Sequence, residues 1–135
     1  KEIENGLDLV STYESFSKRV TSSKLKIWNF FITAKENNKK IIGYGAPAKG
    51  NTMLNFCGIG KDIIEYTVDI SPHKQGLFLP GTQIPIKKPE IIKETKPDYV
   101  IILAWNFKEE ISQQMNFIRE WGGKFIVLHP KIEIF

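Results

Sequence analysis

Apolar and polar residues along this chain change their period near residue 38. Before it, Tyr13, Phe16, Val20, Ile27 and Phe31 recur at spacings of three, four, seven and four, the mark of a helix with one buried face. Ser11-Thr12-Tyr13-Glu14 has the capping-box pattern, in which a hydroxyl and a carboxylate satisfy the first free amides of a helix. The spacing predicts a long helix over residues 11–37, with a weak polar middle at Thr21-Ser22-Ser23-Lys24 that would kink or break it, and an end at Asn37-Asn38. Such a helix either packs on the remaining fold or forms an arm to another domain. Residues 1–38 are therefore set apart as a helical segment from a domain over 39–135.

From residue 39 the pattern alternates between strand and helix. Lys39 to Gly43 reads as a first strand, and Met53-Leu54-Asn55-Phe56 lies in the helix after it. Ile63 to Val68 is a β-rich run, followed by a long loop with Pro72, Gly76 and Pro80-Gly81, then the short strand Ile84-Pro85-Ile86. Pro89 suits the first turn of a brief helix to about Glu94. Tyr99 to Leu103 is continuously apolar, as in a parallel strand covered on both faces. Phe107, Ile111, Met115 and Ile118 make a helical stripe that Gly122-Gly123 stops, and Phe125 to Leu128 is the last strand. This order predicts an α/β, Rossmann-like, doubly wound and mainly parallel sheet of about five strands behind a long N-terminal helix.

Composition narrows the function classes. With 135 residues, of which 41% are apolar and 12% aromatic, the chain can build one real core but hardly two. No apolar run nears the roughly 20 residues of a membrane span, and the N-terminus lacks the apolar stretch of a secretory signal, so a cytoplasmic protein with no membrane role is expected. The first residue is Lys1 and not Met, which fits an excised fragment, although tag removal or processing would look the same. The single Cys57 excludes an internal disulfide and a Cys-based zinc site, and reads as a buried small hydrophobe. A net charge of +4 invites a nucleic-acid partner. The cations are spread out, however, and the doublets Lys39-Lys40 and Lys87-Lys88 are expected at the end of the sheet away from the Gly-rich turn. No nucleic-acid partner is expected.

Candidate chemistry concentrates after the first strand, in Gly43-Tyr44-Gly45-Ala46-Pro47-Ala48-Lys49-Gly50-Asn51-Thr52. Glycines let a backbone approach an anion, the next helix offers free N–H groups, and Lys49 adds an ammonium. Gly43, Tyr44, Gly45, Ala46, Pro47, Lys49, Gly50 and Asn51 are thus candidate phosphate-binding positions. The spacing is neither that of a dinucleotide turn, which needs Gly at Ala48, nor that of a P-loop, which needs Gly-Lys-Ser/Thr where Lys-Gly-Asn stands. A purely structural turn is the alternative. Ligands of open α/β sheets bind beyond the carboxyl ends of the strands, where strand order reverses, which selects Asp69, Trp105-Asn106 and His129-Pro130 on later strands. Asp69, 24 residues after Gly45, suits a ribose contact or a loop cap. Lys74 and Gln75 can reach a phosphate or sugar from the same loop. Trp105 and Tyr44 suit stacking on a base or sugar, or a place in the core. His73 and His129 are too far apart for a short metal motif, so no metal is expected. No nucleophile elbow occurs, and Glu109-Glu110 suit a helix start, where acids favour the dipole. No catalytic residue is assigned.

Read as strings, this segment and Val68-Asp69-Ile70-Ser71-Pro72-His73-Lys74-Gln75-Gly76, Leu79-Pro80-Gly81-Thr82-Gln83-Ile84-Pro85-Ile86, Pro97-Asp98-Tyr99-Val100 through Ala104-Trp105-Asn106, and Arg119-Glu120-Trp121-Gly122-Gly123-Lys124-Phe125 resemble the C-terminal domain of sugar C-methyltransferases. These enzymes move a methyl group from S-adenosylmethionine to carbon of a nucleotide-linked deoxy-keto-sugar. The resemblance covers roughly residues 10–135. It implies a zinc-binding N-terminal region and a central methyltransferase domain upstream, with S-adenosylmethionine on that central domain and no cofactor on this fragment. It also implies a nucleotide-sugar as partner and an isolated fragment without activity. The family pattern more often has Arg-Asn at Ile70-Ser71, Tyr at His73, His at Gln83 and Pro at Ala104, which leaves the sugar open. An autonomous nucleotide- or dinucleotide-binding module and a structural lid without ligand are the competing readings.

Overall fold

The computed structural model describes residues 24–135. A helix over residues 24–36 (α1) leads into β1 (Ile41–Tyr44), α2 (Ala48–Cys57), β2 (Thr67–Val68), β3 (Ile86–Lys87), α3 (Ile91–Thr95) and β4 (Tyr99–Ile102). A 3₁₀ helix (Trp105–Phe107), α4 (Lys108–Gln114), a second 3₁₀ helix (Asn116–Trp121), β5 (Lys124–Val127) and β6 (Glu133–Ile134) follow. The six strands form one sheet in the order β3-β2-β1-β4-β5-β6. All neighbours are parallel except β5 and β6, which are antiparallel. Strand order reverses between β1 and β4, so a switch point lies beyond Tyr44 and Ile102.

Side chains alternate across the sheet and feed two cores. Ile41, Ile101 and Ile126 face one side with Ile27, Phe31 and Leu54 of α1 and α2. Ile42, Val100, Ile102 and Phe125 face the other with Ile92 and Ile111 of α3 and α4. Coverage on both faces is why these strands read as unbroken apolar runs. The one buried polar residue described, Thr67, donates its hydroxyl to the Gly45 carbonyl at 2.6 Å, which removes the cost of placing it there.

Several elements differ from expectation. Of the helix foreseen over 11–37, residues 24–36 are helical and bury Ile27, Phe31 and Ala34 in the sheet's own core. The capping box and most of the polar middle lie outside the described residues. The sheet has six strands, because the chain turns back after His129 and pairs Ile134 with Ile126. The second strand shrinks to Thr67–Val68, since Gly60 accepts from the amides of Ile63 and Ile64 and makes that stretch a turn. The stripe from Phe107 is α4 followed by a 3₁₀ helix, and Met115, Ile118 and Trp121 at intervals of three match its period. Lys87-Lys88 stands at the carboxyl end of β3, where the Lys87 carbonyl accepts from the Asp69 amide at 3.2 Å. The doublet is therefore on the same end of the sheet as the Gly-rich turn, because the parallel ladder runs one residue past Ile86.

Candidate functional site

The Gly-rich segment is a short turn and the start of a helix. Gly45 has φ +94, a region open to glycine, whereas a Cβ there would meet only ordinary contacts from 3.4 Å outward. Conformation, not space, requires this glycine. Pro47 then caps α2 in an extended conformation, without a side-chain hydrogen bond. The Pro47 carbonyl accepts from the Asn51 amide at 3.0 Å. The amides of Ala48, Lys49 and Gly50 have no acceptor among the described residues, as at any uncapped helix start. No acid stands in this first turn, and Lys49 places a cation where the dipole disfavours one.

Asp69 follows β2 on the same end of the sheet. Its Oδ1 accepts from the Ser71 amide at 2.9 Å, and its carbonyl accepts from Gln75 Nε2 at 2.8 Å. Lys74 Nζ lies 4.0 Å from Asp69 Oδ2 and donates to the Ala46 carbonyl at 3.2 Å. Lys74 therefore fastens the loop after β2 to the turn after β1, and Asp69 caps that loop.

Two clefts flank the turn. The larger, about 640 Å³, runs along α2 and is lined by Lys49, Phe56, Trp105, Asn106 and His129 among others. The smaller, about 280 Å³, opens toward α4 and is lined by Tyr44, Gly45, Asp69, Ile70, Phe107 and Glu110 among others. The structure thus brings Lys49, Trp105 and Asn106 together on one side of the sheet and Tyr44, Gly45 and Asp69 together on the other. Ala46 and Pro47 form the turn between β1 and α2 and line neither cleft. Asn51 receives a hydrogen bond from Asn55 of its own helix at 3.4 Å. Gly43 and Gly50 are buried: a Cβ on Gly43 would stand 2.8 Å from Thr67 Oγ1, and one on Gly50 as close to Leu103. Both glycines serve packing beneath the site.

Phe107 belongs to the smaller cleft without having been singled out as a site residue, and His129, which the strand-end rule does select, joins Trp105 in the larger. The Trp105 and His129 rings lie 5.0 Å apart at 32°. Each follows one of two adjacent parallel strands, β4 and β5, by two or three residues, a spacing that could have paired them. The Tyr44 hydroxyl titrates above its ordinary 10.0, chiefly because the ring is buried and then because of the Asp69 carboxylate. Among the described residues, no three His, Cys, Asp or Glu side chains gather as metal ligands, and no helix is long and apolar enough to cross a membrane. What the larger cleft offers is an ammonium, an amide and an aromatic pair beside a helix start. Those groups suit holding a charged, partly aromatic molecule.

Comparison with known proteins identifies a family. The family model described as the C-methyltransferase C-terminal domain matches residues 1–130. The C-methyltransferase NovU of Streptomyces niveus is 37% identical over 131 residues, covering 97% of this chain but only 31% of NovU. Among solved structures, UDP-D-quinovosamine 4-dehydrogenase from Vibrio fischeri aligns with 66% of this chain and 76% of its own, at 18% identity and a TM-score of 0.47. Matched over nearly its whole length by the family model and by NovU, the chain belongs to the C-methyltransferase C-terminal domain family.

Proposed function

We propose that this chain is the substrate-docking domain of a larger C-methyltransferase that uses S-adenosylmethionine, and that it holds a nucleotide-linked deoxy-keto-sugar. Residues 39–135 form the ligand-binding unit, and an upstream domain carries the methyl donor and the chemistry. The observation that carries this reading is the juxtaposition, at the switch point, of an uncapped α2, Lys49 in its first turn, and a cleft with Trp105. Phosphate oxygens would meet Lys49 and the free amides, and a base would stack on Trp105, with Asn106 beside it. NovU supports the methyltransferase context, since the chain spans only its equivalent of 31% of that protein.

Ligand-dependent unfolding tests the proposal. A ligand that binds only the native state at about a hundred times its Kd stabilises by about 2.7 kcal/mol. The 135-residue chain should unfold later with a nucleotide-sugar and should ignore S-adenosylmethionine. Stabilisation by a dinucleotide alone would favour an autonomous module, and indifference to every nucleotide a lid. Methyl transfer by the isolated chain would contradict the division of labour.

A further inference from the structure

Taking the nucleotide-sugar reading as its basis, we propose that the smaller cleft, between the end of β1 and α4, reads the vicinal hydroxyls of a sugar ring and turns phosphate away. Tyr44 is 9% exposed, with its ring packed in the core beneath α4. A buried tyrosine normally pairs its hydroxyl, yet this one makes no hydrogen bond to any described residue. No described buried side-chain atom is both sealed from solvent and unpaired, so the hydroxyl meets solvent, and Tyr44 lines this cleft among the described residues. It is a polar group held in place whose hydrogen bond a ligand can take over from solvent.

The other polar groups around the cleft are of matching kind. Glu110 and Gln114 stand one turn apart on α4, and Asp69 stands across from them at the end of β2. Glu110 makes no ion pair with any described residue. Two carboxylates and a phenol accept hydrogen bonds from hydroxyl donors, and an amide both gives and takes them. No lining residue is cationic; Lys74 offsets Asp69 from 4.0 Å, but Glu110 has no such partner among the described residues, so a phosphate here would face an uncompensated carboxylate, whereas Lys49 in the other cleft attracts it. Exposed Ile70 and Phe107 at the rim offer apolar surface to the C–H face of a ring. The hydroxyls belong either to the ribose of the nucleotide or to the hexose that accepts the methyl group.

Calorimetric titration of the chain with UDP, UDP-glucose and dTDP-glucose tests this with Tyr44→Phe, which keeps the ring, and Glu110→Gln, an isosteric change on an exposed helix position. Each variant should lose about fivefold to tenfold in affinity, the worth of one hydrogen bond. Loss for both glucose conjugates but not UDP assigns the cleft to the hexose. Loss for UDP and UDP-glucose with dTDP-glucose spared assigns it to the ribose. Wild-type affinity of both variants for all three probes overturns the subsite and leaves the nucleotide-sugar reading standing. No binding of any probe to the wild-type chain overturns that reading itself, and the subsite with it.

Discussion

Gly50 packs so tightly on Leu103 that a methyl group at its Cα would stand 2.8 Å from Leu103 Cβ and 2.9 Å from the Leu103 carbonyl oxygen. One obstacle is backbone, so a rotamer change cannot clear it. Gly50→Ala should push α2 off the end of β4 and cost about 1–3 kcal/mol, the usual penalty of overpacking. Denaturant unfolding would show a lower midpoint at unchanged slope. Wild-type stability would mean that α2 is seated farther from the strand.

Lys96 ends α3 in the left-handed region at φ 48, with its amide donating to the Ile92 carbonyl at 2.9 Å. A Cβ disfavours that conformation, and glycine does not. Lys96→Gly should raise stability by about 0.5–1 kcal/mol once the entropy of a freer unfolded chain is set against the relief. A lower thermal midpoint for the variant would contradict the cap.

The two buried tyrosines should set an alkaline limit. Tyr44 titrates above its ordinary 10.0 because of burial and then Asp69. Tyr66 does so because of burial, partly offset by its hydrogen bond with Thr95. Both folded values lie above the unfolded ones, so the native state holds more protons in that window. Stability is full below the unfolded value and falls as pH rises through the folded values. Unfolding midpoints measured from about pH 8 to about pH 11 should drop in the wild type and drop less in Tyr44→Phe. Parallel pH profiles for the two proteins would count against a shifted Tyr44.

Much of this architecture is legible in the sequence because the two-sided burial of β1, β4 and β5 writes itself as unbroken apolar runs. The same rule misleads at Ile63 and Ile64, which are buried from a turn and not from a strand. β6 is hidden for the opposite reason, since Glu133 and Ile134 are exposed and show no burial pattern. At the site, Gly45 and Asp69 are legible as positions at strand ends. The division into two clefts is not, because the face a residue lines depends on where α2 and α4 come to rest. Lys74 reads in the sequence as a contact for a phosphate or sugar, whereas its ammonium is engaged by the Ala46 carbonyl and Asp69.

The central claim is that the turn into α2 serves the phosphates of a nucleotide-sugar and not the methyl donor. Lys49 stands in the first turn of that helix without an acid nearby in the turn, so its removal should leave the fold as stable or slightly more so. The direct measurement is calorimetric titration of the full-length enzyme proposed here and its Lys49→Ala variant, each with the nucleotide-sugar and with S-adenosylmethionine. The expected result is a loss of about 1.5–3 kcal/mol for the nucleotide-sugar, as for a charge-assisted hydrogen bond, with S-adenosylmethionine affinity unchanged. Unchanged nucleotide-sugar affinity, or an equal loss for the methyl donor, would contradict it.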